Sequence, residues 1–511
     1  MPSFRLALRY SLLVLLAGRI DAASAQDRRL RNIDDYVAKA RAEWQAPAFA
    51  LAIVKDDSVV FAKGYGTLAA GGSQAADEHT LFAIGSSSKA FTTASLAMLV
   101  DEGKLDWDDR AVERLPGWQL ADPWVTREIR IRDLIAHRVG LERADAIWGA
   151  TDFSRADIMR RQRFIKPVAS FRLTYGYNNH MFLAAGEVLK GVSGMSWDDF
   201  VRRRIFTPLG MRRSNTSTKA FGDDDNVATP HTTVDGKVVQ IPWHNIDNIG
   251  PAGSINSSVR EMAEWVKLHL ANGVYRGNRL VSEAAMRELH SPQTVIPLEP
   301  WLSTASPVNH QMVPGTNFFL YGLGWFLQDY KGRKIVQHGG SIDGMRALVG
   351  MVPDEGLGFV MLTNLNPSSI DEAVMFKVLD EYLGGPGRDW SADMLAGMRE
   401  LERKADDARA RLVASRRTDT RPSLPIAAYA GTYADSAFGT MQVRADGEAL
   451  AIRFERRAGR ATHWQLDSFR VDWEGVTGQW GIITFSLDAA GTVATASTGG
   501  LELGRVKEAR P

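Results

Sequence analysis

Ser86-Ser87-Ser88-Lys89, Tyr177-Asn178-Asn179 and His338-Gly339-Gly340 follow one another along the chain, and together they hold the parts of an acyl-transfer site. A serine hydroxyl is a poor nucleophile until a base takes its proton. Lys89 stands three residues after Ser86, which on a helix puts both side chains on one face, a turn apart. Burying an ammonium group favours its neutral form, so a desolvated lysine serves as that base near neutral pH. Ser86 falls at the expected start of a helix, where free backbone N–H groups favour an anionic oxygen, and Gly85 permits a sharp entry. A tyrosine beside a cationic lysine has a lowered pKa and can shuttle the proton; Tyr177 is read in that role, with Tyr175 as a rival. Asn179 offers a donor and an acceptor to hold a substrate amide and the lysine. His338 is read as a donor to a substrate carboxylate or an aid to proton transfer. Gly339 and Gly340 then mark a strand end where a backbone or ligand approaches closely. The N–H groups of Ser86 and Ser341 complete the set as an oxyanion hole. Each motif alone has a plainer reading: Ser86 as a helix cap with a solvated lysine, Tyr177 as packing, His338 as a turn residue.

Positioning these groups requires a framework. Leu30, Ile33, Val37, Ala40 and Trp44 recur at helical spacing before Pro47. Two β-like runs, Phe49–Val54 and Ser58–Lys63, are joined by the hairpin signal Lys55-Asp56-Asp57. Ser86–Glu102 reads as a helix apolar on nearly all sides, which belongs in an interior, with Gly103 as its stop. The loop Arg172–Asn179 runs into a helix over Met181–Lys190. From about Trp107 to Tyr330 the chain reads as helices and long loops with few strands. Strand signals return over Lys334–His338, Ala347–Val352 and Gly358–Thr363, and a helix follows over Ile370–Leu383. The expected fold class is α/β in the α+β sense. One antiparallel sheet is built from two distant segments and flanked by helices, with an inserted all-helical lobe and a cleft between the lobes.

Gly384-Gly385-Pro386-Gly387 breaks this unit. Ser391–Ala414 reads as a charged amphipathic helix and Ser415–Ser423 as a polar linker. Beyond Leu424 the period changes to two: Met441 and Val443 alternate, as do Leu450, Ile452 and Phe454 after the turn signal Asp446-Gly447. Further β runs cover Trp464–Val471 and Trp480–Leu487. The expected domains are a leader over 1–25, a hydrolase domain over 26–385, a helical linker over 386–423 and a small all-β barrel or sandwich over 424–511.

Composition narrows the function. The 511 residues are 45% hydrophobic, enough for a large core, and 61 basic against 60 acidic residues give +1. No polybasic stripe with interleaved aromatics appears, so nucleic acid is not an expected partner. There is no cysteine, which excludes thiolate zinc sites and cysteine nucleophiles, and the histidines show no metal-ligand spacing; His137 is read as structural. No cofactor and no metal are expected. Most of the 14 tryptophans are read as core. Arg5 and Arg9, an apolar run over Ser11–Gly18 and Ala23-Ser24-Ala25 form a secretory signal. The run is too short for a stable membrane anchor, so a periplasmic or secreted protein is expected.

The segment Phe82-Ala83-Ile84-Gly85-Ser86-Ser87-Ser88-Lys89-Ala90-Phe91-Thr92 resembles the nucleophile segment of the penicillin-recognising serine hydrolases. These are class C β-lactamases, low-molecular-weight penicillin-binding proteins, D-aminopeptidases of peptidase family S12 and related esterases. Ile131–Leu141, Tyr321-Gly322-Leu323-Gly324-Trp325 and Gln337–Gly344 look like further landmarks of that group, so the likeness covers about Leu30 to Leu383. It implies that Ser86 is acylated, that Lys89 and Tyr177 are bases, and that Asn179, His338, Gly340 and Ser341 position the substrate. His-Gly-Gly stands where β-lactamases of the group usually carry Lys-Thr-Gly, as is similar to the peptidase and esterase branches. The appended β segment resembles a lipocalin-like barrel found after some exported peptidases. It either shapes the site entrance or mediates a homo-oligomer, and both stay open. The resemblance implies an exported serine peptidase acting through an acyl-enzyme on short peptides, D-residue-containing ones included. An esterase or β-lactamase of the same mechanism is the first alternative, and a non-catalytic ligand-binding relative the second.

Overall fold

The structure is a computed structural model that describes residues 26–222, 225–298, 316–385, 387–475 and 480–506. The leader read over 1–25 lies outside the described residues, as does Pro386 of the glycine-rich break.

The longest apolar runs form the centre of the sheet. β1 (Ala48–Lys55) buries all but its last residue, and a strand covered on both faces reads as such a run. It pairs with β2 (Ser58–Gly66) through the Asp56–Asp57 turn. The other strands come from beyond residue 290: β3 (Thr294–Ile296), β4 (Phe319–Tyr321), β5 (Phe326–Tyr330), β6 (Arg333–Ile342), β7 (Met345–Val352) and β8 (Leu357–Thr363). All pair antiparallel in the order β2-β1-β8-β7-β6-β5-β4-β3. The two-segment antiparallel sheet is therefore as expected, but β3, β4 and β5 extend it where helices and loops were anticipated.

Helices cover both faces. On one, α1 (26–43) and α5 (Ile370–Leu383) pack Ile33, Val37 and Ala40 with Val374 and Val378 against Leu51, Ile53 and Phe359. The other face carries α4 (Val259–Leu270); α2 (Ser88–Asp101) packs on it through Phe91 against Trp265, and α3 (His180–Ser193) packs on α2. α2 is buried from Ser88 through Leu99, as its all-round apolar composition requires. Around α2 and α3 gathers the inserted, mostly helical lobe.

A 25-residue helix, α6 (Trp390–Ala414), leads away; only Trp390, Ser391 and Met394 are buried. Beyond it eight strands close into a barrel: β9 (Gly431–Asp435), β10 (Gly439–Asp446), β11 (Ala449–Phe454), β12 (Arg457–Gln465), β13 (Ser468–Trp473), β14 (Trp480–Leu487), β15 (Val493–Thr498) and β16 (Leu501–Arg505). Tyr429, Tyr433, Phe469 and Phe485 meet in its interior. The single β run expected over Trp464–Val471 is two strands, turned at Leu466, whose φ is +48°. The stretch read as a linker lies on the barrel: Arg416 Nε donates to the Trp464 carbonyl at 2.6 Å, and Ser423 donates to Asp467.

Candidate active site

Ser86 does not open an α-helix directly. It lies in a single 3-10 turn, Gly85–Ser87, from which α2 continues. The three serines diverge there. Ser87 Oγ donates to the His338 carbonyl at 2.9 Å, and Ser88 Oγ accepts from Ile255 N–H at 3.1 Å. Those two pin the turn between sheet and lobe, whereas Ser86 faces a cavity of about 310 Å³.

Glycine is required where the turn crosses β6. A Cβ on Gly340 would stand 1.8 Å from the Ile84 carbonyl oxygen and 3.1 Å from Ser86 N, and one on Gly85 would stand 2.8 Å from Ser341 N. The N–H groups of Ser86 and Ser341 are thus brought to one crossing by two missing side chains. The ladder between β5 and β6 ends at Phe326 opposite Gln337. Gly339, Gly340, Ser341 and Ile342 beyond it line the cavity. His-Gly-Gly is accordingly inside β6, not at a strand end.

Lys89 Nζ is fully buried among three oxygens: Ser86 Oγ at 3.0 Å, Asn179 Oδ1 at 2.7 Å and the Ala252 carbonyl at 2.8 Å. Burial drives its pKa well below the ordinary lysine value; Asp145 opposes that shift and Arg143 adds to it. Tyr177 donates its phenol hydrogen to Ser86 Oγ at 2.6 Å. Tyr175 is instead buried in an aromatic group with His137, Tyr321 and Phe326. The lowered tyrosine pKa expected from the sequence is overturned. Burial raises the Tyr177 pKa above its ordinary value and outweighs the Ser86 hydrogen bond and the Arg143 charge. Asn179 is the N-cap residue of α3, yet its side chain leaves the helix end to hold Lys89 and to donate to Asp145 Oδ1 at 2.8 Å.

His338 lines the cavity, but its ring nitrogens are taken: Nε2 meets the Tyr321 hydroxyl at 3.0 Å and Nδ1 meets the Gly339 carbonyl at 2.6 Å. Burial pushes its pKa down to about 3. A neutral ring so bonded fixes the strand and the aromatic wall; it is not placed to offer an N–H to a substrate carboxylate. Among the described residues no cluster of His, Cys, Asp and Glu could hold a metal, and no helix is long and apolar enough to cross a membrane.

The Beta-lactamase family profile matches residues 33–383, and a domain of unknown function, DUF3471, matches residues 415–503. The chain belongs to the β-lactamase family. This is a family of serine hydrolases, and the chain is similar to an Aspergillus violaceofuscus protein named unguisins hydrolase ungD, 27% identical over 89% of this chain and 82% of that protein. The fold is shared with the octameric penicillin-binding protein homologue from Pyrococcus abyssi, at a TM-score of 0.60 and 20% identity over 93% of this chain and 99% of that one. It is also shared with the D-amino acid amidase of Ochrobactrum anthropi SV3, at a TM-score of 0.55 and 19% identity over 72% of this chain and 99% of that one.

On this β-lactamase-family frame the motifs left several site residues unmarked. Asp145 accepts from Asn179, Trp148 Nε1 and Arg143, so the nearest carboxylate to Lys89 is already tied down. The Arg143 guanidinium lies 5.0 Å from the Tyr177 ring centre. His137, read as structural, has φ +54° and clamps the tyrosine loop from both sides: its carbonyl accepts from Gly176 N–H at 2.8 Å and its Nδ1 from Asn178 N–H at 3.0 Å. Asp145 and Arg143 lie in irregular chain with no periodicity, so only the neighbourhood of the motif-like Ile131–Leu141 segment could have hinted at them.

Proposed function

We propose that this chain is an exported serine hydrolase that forms an acyl-enzyme on Ser86 and acts as a peptidase or amidase on short peptides, D-residue-containing ones included. One observation carries the reading: Ser86 Oγ lies within hydrogen-bond reach of both Lys89 Nζ and the Tyr177 hydroxyl. A neutral amine has two hydrogens and one lone pair. Asn179 Oδ1 and the Ala252 carbonyl take the hydrogens, which leaves the lone pair for the Ser86 hydroxyl hydrogen. Ser86 Oγ then attacks the substrate carbonyl as its proton passes to Nζ, and the N–H groups of Ser86 and Ser341 receive the developing oxyanion. The protonated amine and the neutral Tyr177 phenol together return a proton to the departing amine. Water repeats the sequence on the acyl-enzyme and frees Ser86.

The open edge of β6 supports a peptide substrate, since an extended chain can add to a strand edge through its main-chain groups. The name of the unguisins hydrolase supports hydrolysis, and that of the D-amino acid amidase supports amide cleavage. Export rests on the secretory pattern over 1–25 alone.

Incubating the pure protein with a fluorophosphonate is expected to give a mass adduct on the peptide that carries Ser86, absent from Ser86→Ala. No adduct, with hydrolysis retained by Ser86→Ala, would sink the mechanism. Peptide p-nitroanilides of both chiralities, p-nitrophenyl esters and nitrocefin then separate the branches; a preparation that leaves every amide intact while turning over esters or the lactam is not a peptidase. Tyr177→Phe should lower p-nitroanilide turnover by about a hundredfold, yet slow a p-nitrophenyl ester far less, because p-nitrophenolate leaves without a proton. Equal losses on both substrates would remove the phenol from leaving-group protonation.

A further inference from the structure

Among the described residues, the barrel reaches the cleft through one of its turns. Its β11–β12 turn, Glu455–Arg456, is held by Glu455 Oε1 accepting from Thr440 N–H at 2.7 Å. From this turn Arg456 Nη2 donates to the Gly149 carbonyl and to His244 Nε2. Because Nε2 accepts, the ring proton of a neutral His244 sits on Nδ1 and donates to Asp343 Oδ2 at 2.8 Å. The same imidazole lies parallel to the Trp148 indole, with ring centres 6.5 Å apart. One guanidinium therefore ties together three separate stretches of chain: the end of the Ala146–Gly149 helix, the His244 loop, and the β6–β7 turn two residues after Ser341. Each lies next to a cavity-lining residue, respectively Trp148, Ile246 and Ile342. A second tie fastens the barrel to the same lobe, where Arg161 Nη1 donates to the Ser436 carbonyl at 2.7 Å.

We propose that Arg456 is a positioning residue through which the barrel sets the width of the cleft beyond Ser341, and so the size of the apolar acyl group the enzyme accepts there. The inference rests on the reading of Ser86 as the acylated residue. Trp148, Ile246 and Ile342 form an apolar wall, and a wall built from three loops keeps its shape only while something spans them. Without the guanidinium, the Gly149 carbonyl and His244 lose their shared donor, and the Trp148 rim is left to its bonds with Asp145 and Asn248. A larger acyl group then fits, while the groups around Ser86 stay where α2, α3 and β6 hold them.

The test compares full-length wild type, Arg456→Ala, Arg456→Lys, His244→Ala and the Arg456→Ala/His244→Ala double variant. Two readouts are taken: the ratio of kcat/KM for p-nitrophenyl octanoate to that for p-nitrophenyl acetate, and amide hydrogen exchange over 143–152. Arg456→Ala and His244→Ala should each raise the ratio about tenfold, the scale on which a few methylenes are discriminated in an apolar pocket. The double variant should go no further than either single, since both cut one connection. Arg456→Lys should fall between, because one ammonium cannot reproduce the planar fork. Exchange over 143–152 should quicken in every variant. An unmoved ratio overturns the proposal, as does exchange left at the wild-type level, or effects that add in full. A lesion that merely destabilised the fold would lower both rates together and leave their ratio alone. Should wild type neither turn over the esters nor label at Ser86, the acyl-enzyme reading falls, and the exchange result alone decides whether Arg456 holds the rim.

Discussion

Lys89→Met is expected to slow acylation of Ser86 about a thousandfold or more, within the range general-base groups supply. Methionine keeps the unbranched reach of the stem and removes only the amine. Among the described residues Nζ is the basic group within hydrogen-bond reach of Ser86 Oγ, and Asp145, the nearest carboxylate, is occupied by Asn179, Trp148 and Arg143. The loss should appear as a fall in the fluorophosphonate labelling rate with the fold intact. Stability gives an independent check of the protonation state. Burial holds the folded pKa of Lys89 well below its value of 10.5 in a free chain. Between those two values the unfolded chain binds more protons than the native one, so native stability rises with pH across that window. The contribution is fully present above 10.5 and is lost as pH falls toward the folded pKa. Lys89→Met has no such slope. Thermal melts of the two proteins should therefore show wild type losing ground to the variant between pH 10 and pH 7. Parallel curves would mean that Lys89 is protonated in the native state and that the lone-pair argument fails.

Much of this site is legible in the sequence because its central pair is local. Three residues on a helix fix Ser86 against Lys89, and the runs that became β1, β8 and α5 have lengths and periods that admit few other readings. What escaped was set by burial and by distant partners. The direction of the Tyr177 pKa depends on how completely the ring is enclosed by His137, Arg143 and Lys89, none of them adjacent in sequence. His338 was read as a substrate donor because nothing in His-Gly-Gly announces Tyr321, which claims its Nε2. β3 and β4 are three residues each, too short to show a period, and they exist because β5 offers an edge to extend. In the barrel, a turn led by Leu466 at positive φ carries none of the Gly or Asn that normally marks one.

Gly340→Ala is the second substitution for which a large effect is expected, about a hundredfold or more in acylation, comparable to removing one oxyanion donor. The new Cβ would lie 1.8 Å from the Ile84 carbonyl oxygen and 2.8 Å from its carbon. Both contacts are backbone, so no side chain can swing aside. Either β6 or the Gly85–Ser87 turn must retreat, and the Ser87 bond to the His338 carbonyl ties the two together at the same point. Overpacking of this kind costs about 1–3 kcal/mol, visible as a lowered Tm. The larger consequence is geometric: the retreat separates Ser86 N–H from Ser341 N–H, and two donors that no longer converge cannot share one oxygen. Gly339→Ala is the matched comparison, since a Cβ there meets nothing nearer than the Ala347 carbonyl oxygen at 3.7 Å. It should keep the wild-type Tm and lose far less activity. If the two alanine variants behave alike, the close crossing of β6 over the nucleophile turn is not what builds the oxyanion site.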